Sequence, residues 1–74
     1  MKLDEWLFRN RMKQIDFARL IEISRVHLGE IVRNKRIPSV KIAKKIEQAT
    51  EGKVTKEELL FPEDYQNKEI RMVE

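Results

Sequence analysis

The sequence predicts a small all-α domain built from five short helices. Apolar residues recur at the three- and four-residue spacing of a helix in successive segments, which indicates helices with one face toward a core. Residues that start or end helices stand between these segments. The body of the chain lacks the period-two runs of Val, Ile and Thr that an internal strand needs.

The first two predicted helices cover about residues 3 to 11 and about residues 14 to 21. The apolar face of the first consists of Leu3, Trp6 and Leu7. The apolar face of the second consists of Phe17, Ala18, Leu20 and Ile21. Both faces follow helical spacing. We expect Trp6 and Phe17 in the core, whereas Phe8 is either a core residue or part of a partner surface.

The third and fourth predicted helices cover about residues 25 to 32 and about residues 40 to 49. Ser24 and Ser39 precede them as N-caps, because a serine hydroxyl accepts a hydrogen bond from a free N–H group of the first helical turn. Pro38 prevents the third helix from continuing. The inward-facing residues are Leu28, Ile31 and Val32, followed by Val40, Ile42, Ala43 and Ile46.

The fifth predicted helix is short and lies between Thr55 and Pro62. Thr55 and Glu58 form a capping box, in which two residues satisfy each other's backbone N–H groups at a helix start. The segment KEIRMVE at residues 68–74 carries alternating apolar residues, and it is either a strand or a frayed polar terminus.

Charge is distributed unevenly along the chain. The formal net charge is +3, but residues 1–46 hold 12 Lys/Arg against 5 Asp/Glu, a net +7, and residues 47–74 hold 4 against 8, a net −4. A basic surface concentrates near polyanions, chiefly nucleic acid, although a solvated basic face is the commoner meaning of such an excess. Charge therefore suggests nucleic acid as a partner without establishing it.

Composition argues against a secreted protein, a membrane protein and an enzyme. The chain has no cysteine, which fits a reducing compartment, and no apolar run approaches the roughly 18 to 20 residues that cross a membrane. We expect a cytoplasmic protein. A chain of 74 residues forms one domain with little room for a buried active site, and no nucleophile–base pair or glycine-rich phosphate loop is evident. We predict no catalytic residues, no cofactor and no small-molecule substrate.

His27 is the one histidine, and no cysteine accompanies it. A lone histidine does not make a metal site, because zinc takes about three or four protein ligands. We therefore expect His27 to be solvated or packed, and we predict no metal.

The second and third helices carry the features that point to function. They are separated by the three residues EIS, which forces a sharp angle between them and leaves the third helix with a projecting outer face. That outer face contains Arg25, Val26, Gly29, Glu30 and Arg33. A glycine within this stripe lets the helix approach another surface closely.

Residues 14–39, QIDFARLIEISRVHLGEIVRNKRIPS, resemble the phage-repressor and Cro-like helix-turn-helix proteins, also called the xenobiotic-response-element type. The family pattern has Gln, an apolar residue and Ala in one helix, then Ser, the recognition helix, a basic loop and Pro. A second stretch, TEGKVTKEELLFPED, is similar to the end of some small Cro-like regulators. The resemblance covers about residues 3 to 62. It implies a lambda-repressor-like domain of five helices at residues 1–62, followed by a C-terminal tail at residues 63–74. Apart from the resemblance, the apolar residues after about Glu51 have no evident core to join, so we expect this region to carry a dimer contact, by the fifth helix or by pairing of EIRMV as strands.

Three positions depart from the family pattern. Glu22 stands at a turn position that is often Gly, so either Glu22 takes a left-handed conformation or the turn differs. Val32 stands where a glutamate is common, and we expect it to pack on the first helix. Asn34 replaces the loop glycine, a mild change because Asn tolerates the left-handed conformation.

The resemblance implies that the third helix reads double-stranded DNA in the major groove. Arg25 would then pair with guanine, Glu30 would accept a hydrogen bond from cytosine N4, and Val26 would touch a thymine methyl group. The predicted base-reading residues are Arg25, Val26, Gly29 and Glu30. The predicted phosphate-contacting residues are Gln14, Ser24, Arg33, Asn34, Lys35 and Arg36. The alternative for these side chains is an ordinary solvated surface.

The resemblance also implies a transcriptional regulator, and we expect a repressor. Because one helix reads only a few base pairs, we expect a homodimer on a palindromic operator, in the cytoplasm at the nucleoid. The alternative is a protein-interaction module, or the antitoxin of a toxin–antitoxin pair, that uses the same fold.

Overall fold

A computed structural model describes residues 1–61, and these form five helices in the order predicted. They are α1 (Leu3–Arg9), α2 (Gln14–Ile21), α3 (Arg25–Val32), α4 (Val40–Ala49) and α5 (Lys56–Leu60). The all-α fold is confirmed, and no strand occurs within residues 1–61. The α1 helix ends two residues earlier than predicted. The segment KEIRMVE and the tail at residues 63–74 lie outside the described residues.

The core forms where α1, α2, α3 and α4 meet. Phe17, Leu28 and Ile46 are fully buried at its centre. The remaining buried residues of the cluster are Leu3, Leu7, Ala18, Ile21, Ile31 and Val54. Trp6 is half-buried, with its ring centroid 5.5 Å from that of Phe17. Val32, which stands where a glutamate is common in the family, is half-buried and packs against this cluster.

Two residues assigned to inward stripes are exposed instead. Leu20 is 58% exposed and Val40 is 54% exposed. At about 100° per residue, Leu20 lies roughly 105° and Val40 roughly 90° from the centre of the buried stripe of its own helix. The expectation that they face the core is therefore wrong, because both lie at the edge of an apolar face that is already filled. Phe8 is 84% exposed, which excludes it from the core.

Four helices end in the same local motif, which determines the turns. The residues just after them adopt left-handed backbone: Arg11, Glu22, Asn34 and Glu51, with φ between 51° and 64°. In each case the N–H of this residue and the N–H of the residue after it donate to carbonyl oxygens of the last turns, as in Lys35 N–H to the Glu30 carbonyl oxygen at 2.8 Å. Glycine usually occupies this position, since other residues adopt this backbone at a cost of about 1 kcal/mol.

Glu22 takes the left-handed conformation, which settles the question raised by the missing glycine in the turn between α2 and α3. Lys45 of α4 donates to its carboxylate at 3.2 Å and to the Ile21 carbonyl oxygen at 3.5 Å. A cation at the carboxyl end of α2 also suits the helix dipole. The turn that sets the angle of α3 is thus fixed by a side chain from α4.

Polar contacts fix the start of α5 and the turn that leads to it, and the Lys56 N–H of α5 donates to Glu47 Oε2 of α4 at 3.3 Å. Thr55 and Glu58 form the predicted capping box. The buried Thr50 hydroxyl donates to the Ile46 carbonyl oxygen at 2.9 Å and accepts from the Val54 N–H at 3.1 Å. These bonds satisfy backbone groups that the chain reversal would otherwise leave unpaired.

Candidate nucleic-acid interface

The α3 helix is fixed on one side and open on the other. Leu28 and Ile31 are buried in the core, and the Ser24 hydroxyl caps the helix by accepting from the His27 N–H at 3.0 Å. The predicted N-cap and the predicted inward face are therefore both found. Because the core determines the rotation of α3, it also determines which side chains point away from the domain.

The first turn of α3 presents two exposed side chains of different chemistry. Arg25 is exposed and makes no ion pair with any residue of the described part of the chain. Val26 beside it is 69% exposed. The Arg25 guanidinium has the hydrogen-bond donors that recognise guanine, and the apolar Val26 side chain can pack on the methyl group of a thymine.

Gly29 is buried, so the expectation that it lies on the exposed stripe is wrong. A Cβ atom at Gly29 would lie 3.6 Å from Gln14 Oε1 and 3.3 Å from Arg33 Nη1. The start of α2 covers this position, which the periodicity of α3 alone does not reveal. The absence of a side chain at Gly29 thus allows Gln14 and Arg33 to pack closely against the same position on α3.

The start of α2 is open to an anion. Its N-cap residue, Lys13, makes no side-chain capping bond, whereas side-chain oxygens cap α3, α4 and α5. The first N–H groups of a helix have no partner within it and carry partial positive charge. Gln14, the first residue of α2, and Arg33 both reach the position of Gly29 on α3, which places the Arg33 guanidinium near the start of α2. Asp16 in the first turn of α2 adds a negative charge there.

The loop after α3 contains the exposed residues Asn34, Lys35 and Arg36. Asn34 adopts the left-handed conformation at φ 60°, as its sequence position suggested. Arg36 Nε lies 2.9 Å from Glu30 Oε1, an ion pair that sequence reasoning missed. The chain reversal at Asn34 returns Arg36 to the last turns of α3. Arg36 follows Glu30 by six positions, a spacing that predicts no contact unless the geometry of the loop is already known.

Ser24 and His27 have structural roles at the start of α3. The Ser24 oxygen accepts the capping bond, which leaves its hydroxyl hydrogen available to a second partner. His27 is half-buried, in agreement with a packing role. Ile37 is 60% exposed next to Arg36, an apolar contribution to this surface that the sequence reading did not include.

Comparison with known proteins supplies the family. A family model described as Helix-turn-helix matches residues 9–56, more than half of the chain. The chain belongs to the phage-repressor and Cro-like helix-turn-helix family, and this membership supports a DNA-binding regulator. The family is a DNA-binding regulatory one and is not typically enzymatic. No curated protein and no solved structure gives a significant match.

Residues 1–61 contain neither a membrane-spanning helix nor a cluster of metal-binding side chains. No helix within residues 1–61 is both long enough and apolar enough to cross a bilayer. In the same range, no group of three or more His, Cys, Asp or Glu side chains is arranged to hold a metal ion.

Proposed function

We propose that this chain is a sequence-specific repressor that binds double-stranded DNA with α3 in the major groove. The observation that carries the proposal is the asymmetry of α3: its inner face is buried in the core, while Arg25 and Val26 project from its first turn. The first turn of a recognition helix is the part that contacts base edges. The family membership supports DNA as the partner.

Arg25 and Val26 read bases in this proposal. Arg25 donates two hydrogen bonds to O6 and N7 of a guanine, and Val26 packs on the methyl group of a thymine. Gly29 is not among the readers, because it is buried beneath Gln14 and Arg33. Glu30 was expected to accept from a cytosine, but its carboxylate is paired with Arg36, and its role is treated below.

A second group of residues holds phosphates and sets the position of α3. One phosphate lies at the open start of α2, where Gln14 and Arg33 converge. Other phosphates lie along the loop after α3 and at the start of α3 itself. The residues of this group are Gln14, Ser24, Arg33, Asn34, Lys35 and Arg36. Such contacts raise affinity for every sequence, because the phosphate backbone is the same throughout.

The protein pairs on a palindromic operator and acts in the cytoplasm at the nucleoid. The basic surface around α3 is unsuited to pairing, since joining two such surfaces would bury like charges. The residues after Glu51 are more acidic than the preceding part of the chain, and Phe61 among them is 56% exposed. We therefore assign the dimer contact to the region after Glu51.

Salt dependence tests the proposal against an apolar protein-interaction module or an antitoxin. Binding to a duplex of random sequence is measured at rising salt concentration by fluorescence anisotropy. DNA binding releases counterions, so log K should fall linearly with log salt, with a slope of about −0.9 per phosphate neutralised. A flat dependence, or no binding to DNA at low salt, contradicts the proposal and favours the interaction module.

A further inference from the structure

The ion pair between Glu30 and Arg36 joins a predicted base reader to a predicted phosphate contact. Glu30 Oε1 lies 2.9 Å from Arg36 Nε, and the side chains are 34% and 57% exposed. A carboxylate that already accepts from a guanidinium has less capacity and less net charge with which to attract the amino group of a cytosine. The pairing thus weakens the assignment of Glu30 as a base reader.

The backbone on both sides of Arg36 is fixed. The Asn34 N–H donates to the Ile31 carbonyl oxygen at 3.1 Å, and the Lys35 N–H donates to the Glu30 carbonyl oxygen at 2.8 Å. Pro38, two residues after Arg36, is buried against the domain. The turn that carries Arg36 is therefore fixed, whereas the direction of its long side chain is not determined by the backbone.

The contact uses the Nε edge of the guanidinium. Arginine has five N–H donors in a planar fork, and a bond at Nε leaves donors on the two terminal nitrogens available. Arg36 follows the carboxyl end of α3, whereas the bases are read from the amino end of a recognition helix. A phosphate of the DNA backbone is thus the group that the free donors of Arg36 fit.

We propose that Glu30 reads no base and is a positioning residue, which holds Arg36 so that its terminal nitrogens clamp a DNA phosphate. The inference rests on the proposed function, since it requires DNA at α3. It predicts that Glu30, although negatively charged and close to a polyanion, favours DNA binding. Simple charge repulsion predicts the opposite sign.

A set of variants measured on duplexes selected by the parent chain tests this inference. Glu30→Ala should weaken binding about two- to fivefold, the range expected for an exposed charge pair. The loss should be equal for all sequences, with the base preference unchanged. Glu30→Gln, which keeps an acceptor oxygen, should recover most of the loss. In the Arg36→Ala background, Glu30→Ala should cause no further weakening, because the residue it positions is gone.

Glu5→Ala is the matched control. Glu5 forms an exposed pair with Arg9 on α1, with Glu5 Oε2 2.8 Å from Arg9 Nη2, and its removal changes the net charge by the same amount. It should leave DNA affinity within about twofold of the parent, as expected where an exposed pair contributes little. A readout without DNA is the Arg36 Nε–H proton resonance, which should move to the position of a free arginine in Glu30→Ala.

Each contrary outcome has a distinct meaning. Tighter binding by Glu30→Ala, or a changed preference at one base pair, overturns the positioning role. An unshifted Arg36 resonance overturns the ion pair. If the parent chain itself enriches no sequence and does not bind duplex DNA, the proposed function fails, and the inference fails with it. If the parent binds and only the Glu30 variants depart from expectation, the inference alone is wrong.

Discussion

Arg25 is the residue on which base reading depends most in the proposed complex. It is exposed in the first turn of α3 and has no carboxylate partner among residues 1–61. Replacing it with alanine should cost about 1 to 3 kcal/mol on the preferred site and relax the preference at one base pair. Binding of Arg25→Ala to duplexes that differ at single positions measures both effects.

Lys35→Ala is the comparison for Arg25→Ala, because Lys35 is an exposed cation in the loop after α3. It should weaken binding to all sequences alike and lower the salt slope by about one. If Arg25→Ala shows this uniform behaviour instead, Arg25 contacts a phosphate, and its assignment as a base reader is refuted.

Replacing Gly29 with alanine should affect the stability of the fold and the affinity for DNA differently. A Cβ atom there would lie 3.3 Å from Arg33 Nη1, the far end of a flexible side chain that can shift. Alanine in place of glycine inside a helix gains about 1 kcal/mol of helix propensity. Gly29→Ala should therefore unfold at the parent temperature or above it, yet bind DNA more weakly because the Arg33 guanidinium is displaced. Thermal unfolding and DNA titration measure the two quantities.

Gly52→Ala is the control for Gly29→Ala. Gly52 has a φ of +82°, and an added Cβ atom there would meet no atom within 4 Å. The left-handed backbone should make this change destabilising by about 1 kcal/mol, while DNA affinity stays the same. The account of Gly29 is contradicted if Gly29→Ala loses stability and binding together, since both changes would then have one structural cause.

The left-handed residue that follows α4 should be a source of backbone strain. Glu51 has a φ of 55° after α4, in the position that glycine prefers. Glu51→Gly should raise the free energy of unfolding by up to about 1 kcal/mol, because the strain of the left-handed residue is removed. Denaturant unfolding at equilibrium measures it. Lys53→Gly, at a residue two positions later without positive φ, should be neutral or destabilising. A loss of stability in Glu51→Gly would show that the turn is not strained.

The sequence predicted the bounds of α2, α3 and α4 because their ends are set by local chemistry. Ser24 and Ser39 cap the helices that follow them, and Pro38 stops the chain from continuing as helix. The end of α1 was missed because Arg11, an unremarkable residue in the sequence, turns into left-handed backbone. Local signals therefore predict the starts of α3 and α4 directly, whereas the end of α1 depends on a backbone turn that Arg11 does not signal.

The candidate site was predicted less completely than the fold, for a physical reason. Helical periodicity places Arg25 and Val26 outward without knowledge of any other element. The burial of Gly29 depends on where the start of α2 lies, and the pairing of Glu30 with Arg36 depends on the reversal of the loop. Both are contacts between different elements, and the spacing of residues within one helix cannot predict such contacts.

At the scale of the whole molecule, the proposal requires two copies on one operator. Half-sites should lie about 34 Å, or ten base pairs, apart on one side of the duplex. Sedimentation of the full chain with a duplex of two half-sites should show two copies bound, through the region after Glu51. This region includes the half-buried Leu60 and the exposed Phe61, and the part from residue 62 onward, with Tyr65, Ile70 and Met72, lies outside the described residues.

A chain cut after Asp64 is the comparison for the dimer. If it pairs less well than the full chain, residues 65–74 contribute to the contact. If it pairs equally well, α4 and α5 carry the contact instead. Binding of the full chain as single copies to one half-site would contradict the dimer.

The central claim, that α3 reads a specific DNA sequence, is tested most directly by selecting bound duplexes from a random pool and sequencing them. The full chain should enrich a palindromic consensus with a guanine in each half-site, and Arg25→Ala should lose the preference at that guanine while keeping the rest. Enrichment of no sequence by the full chain, or the same consensus from both proteins, would contradict the account.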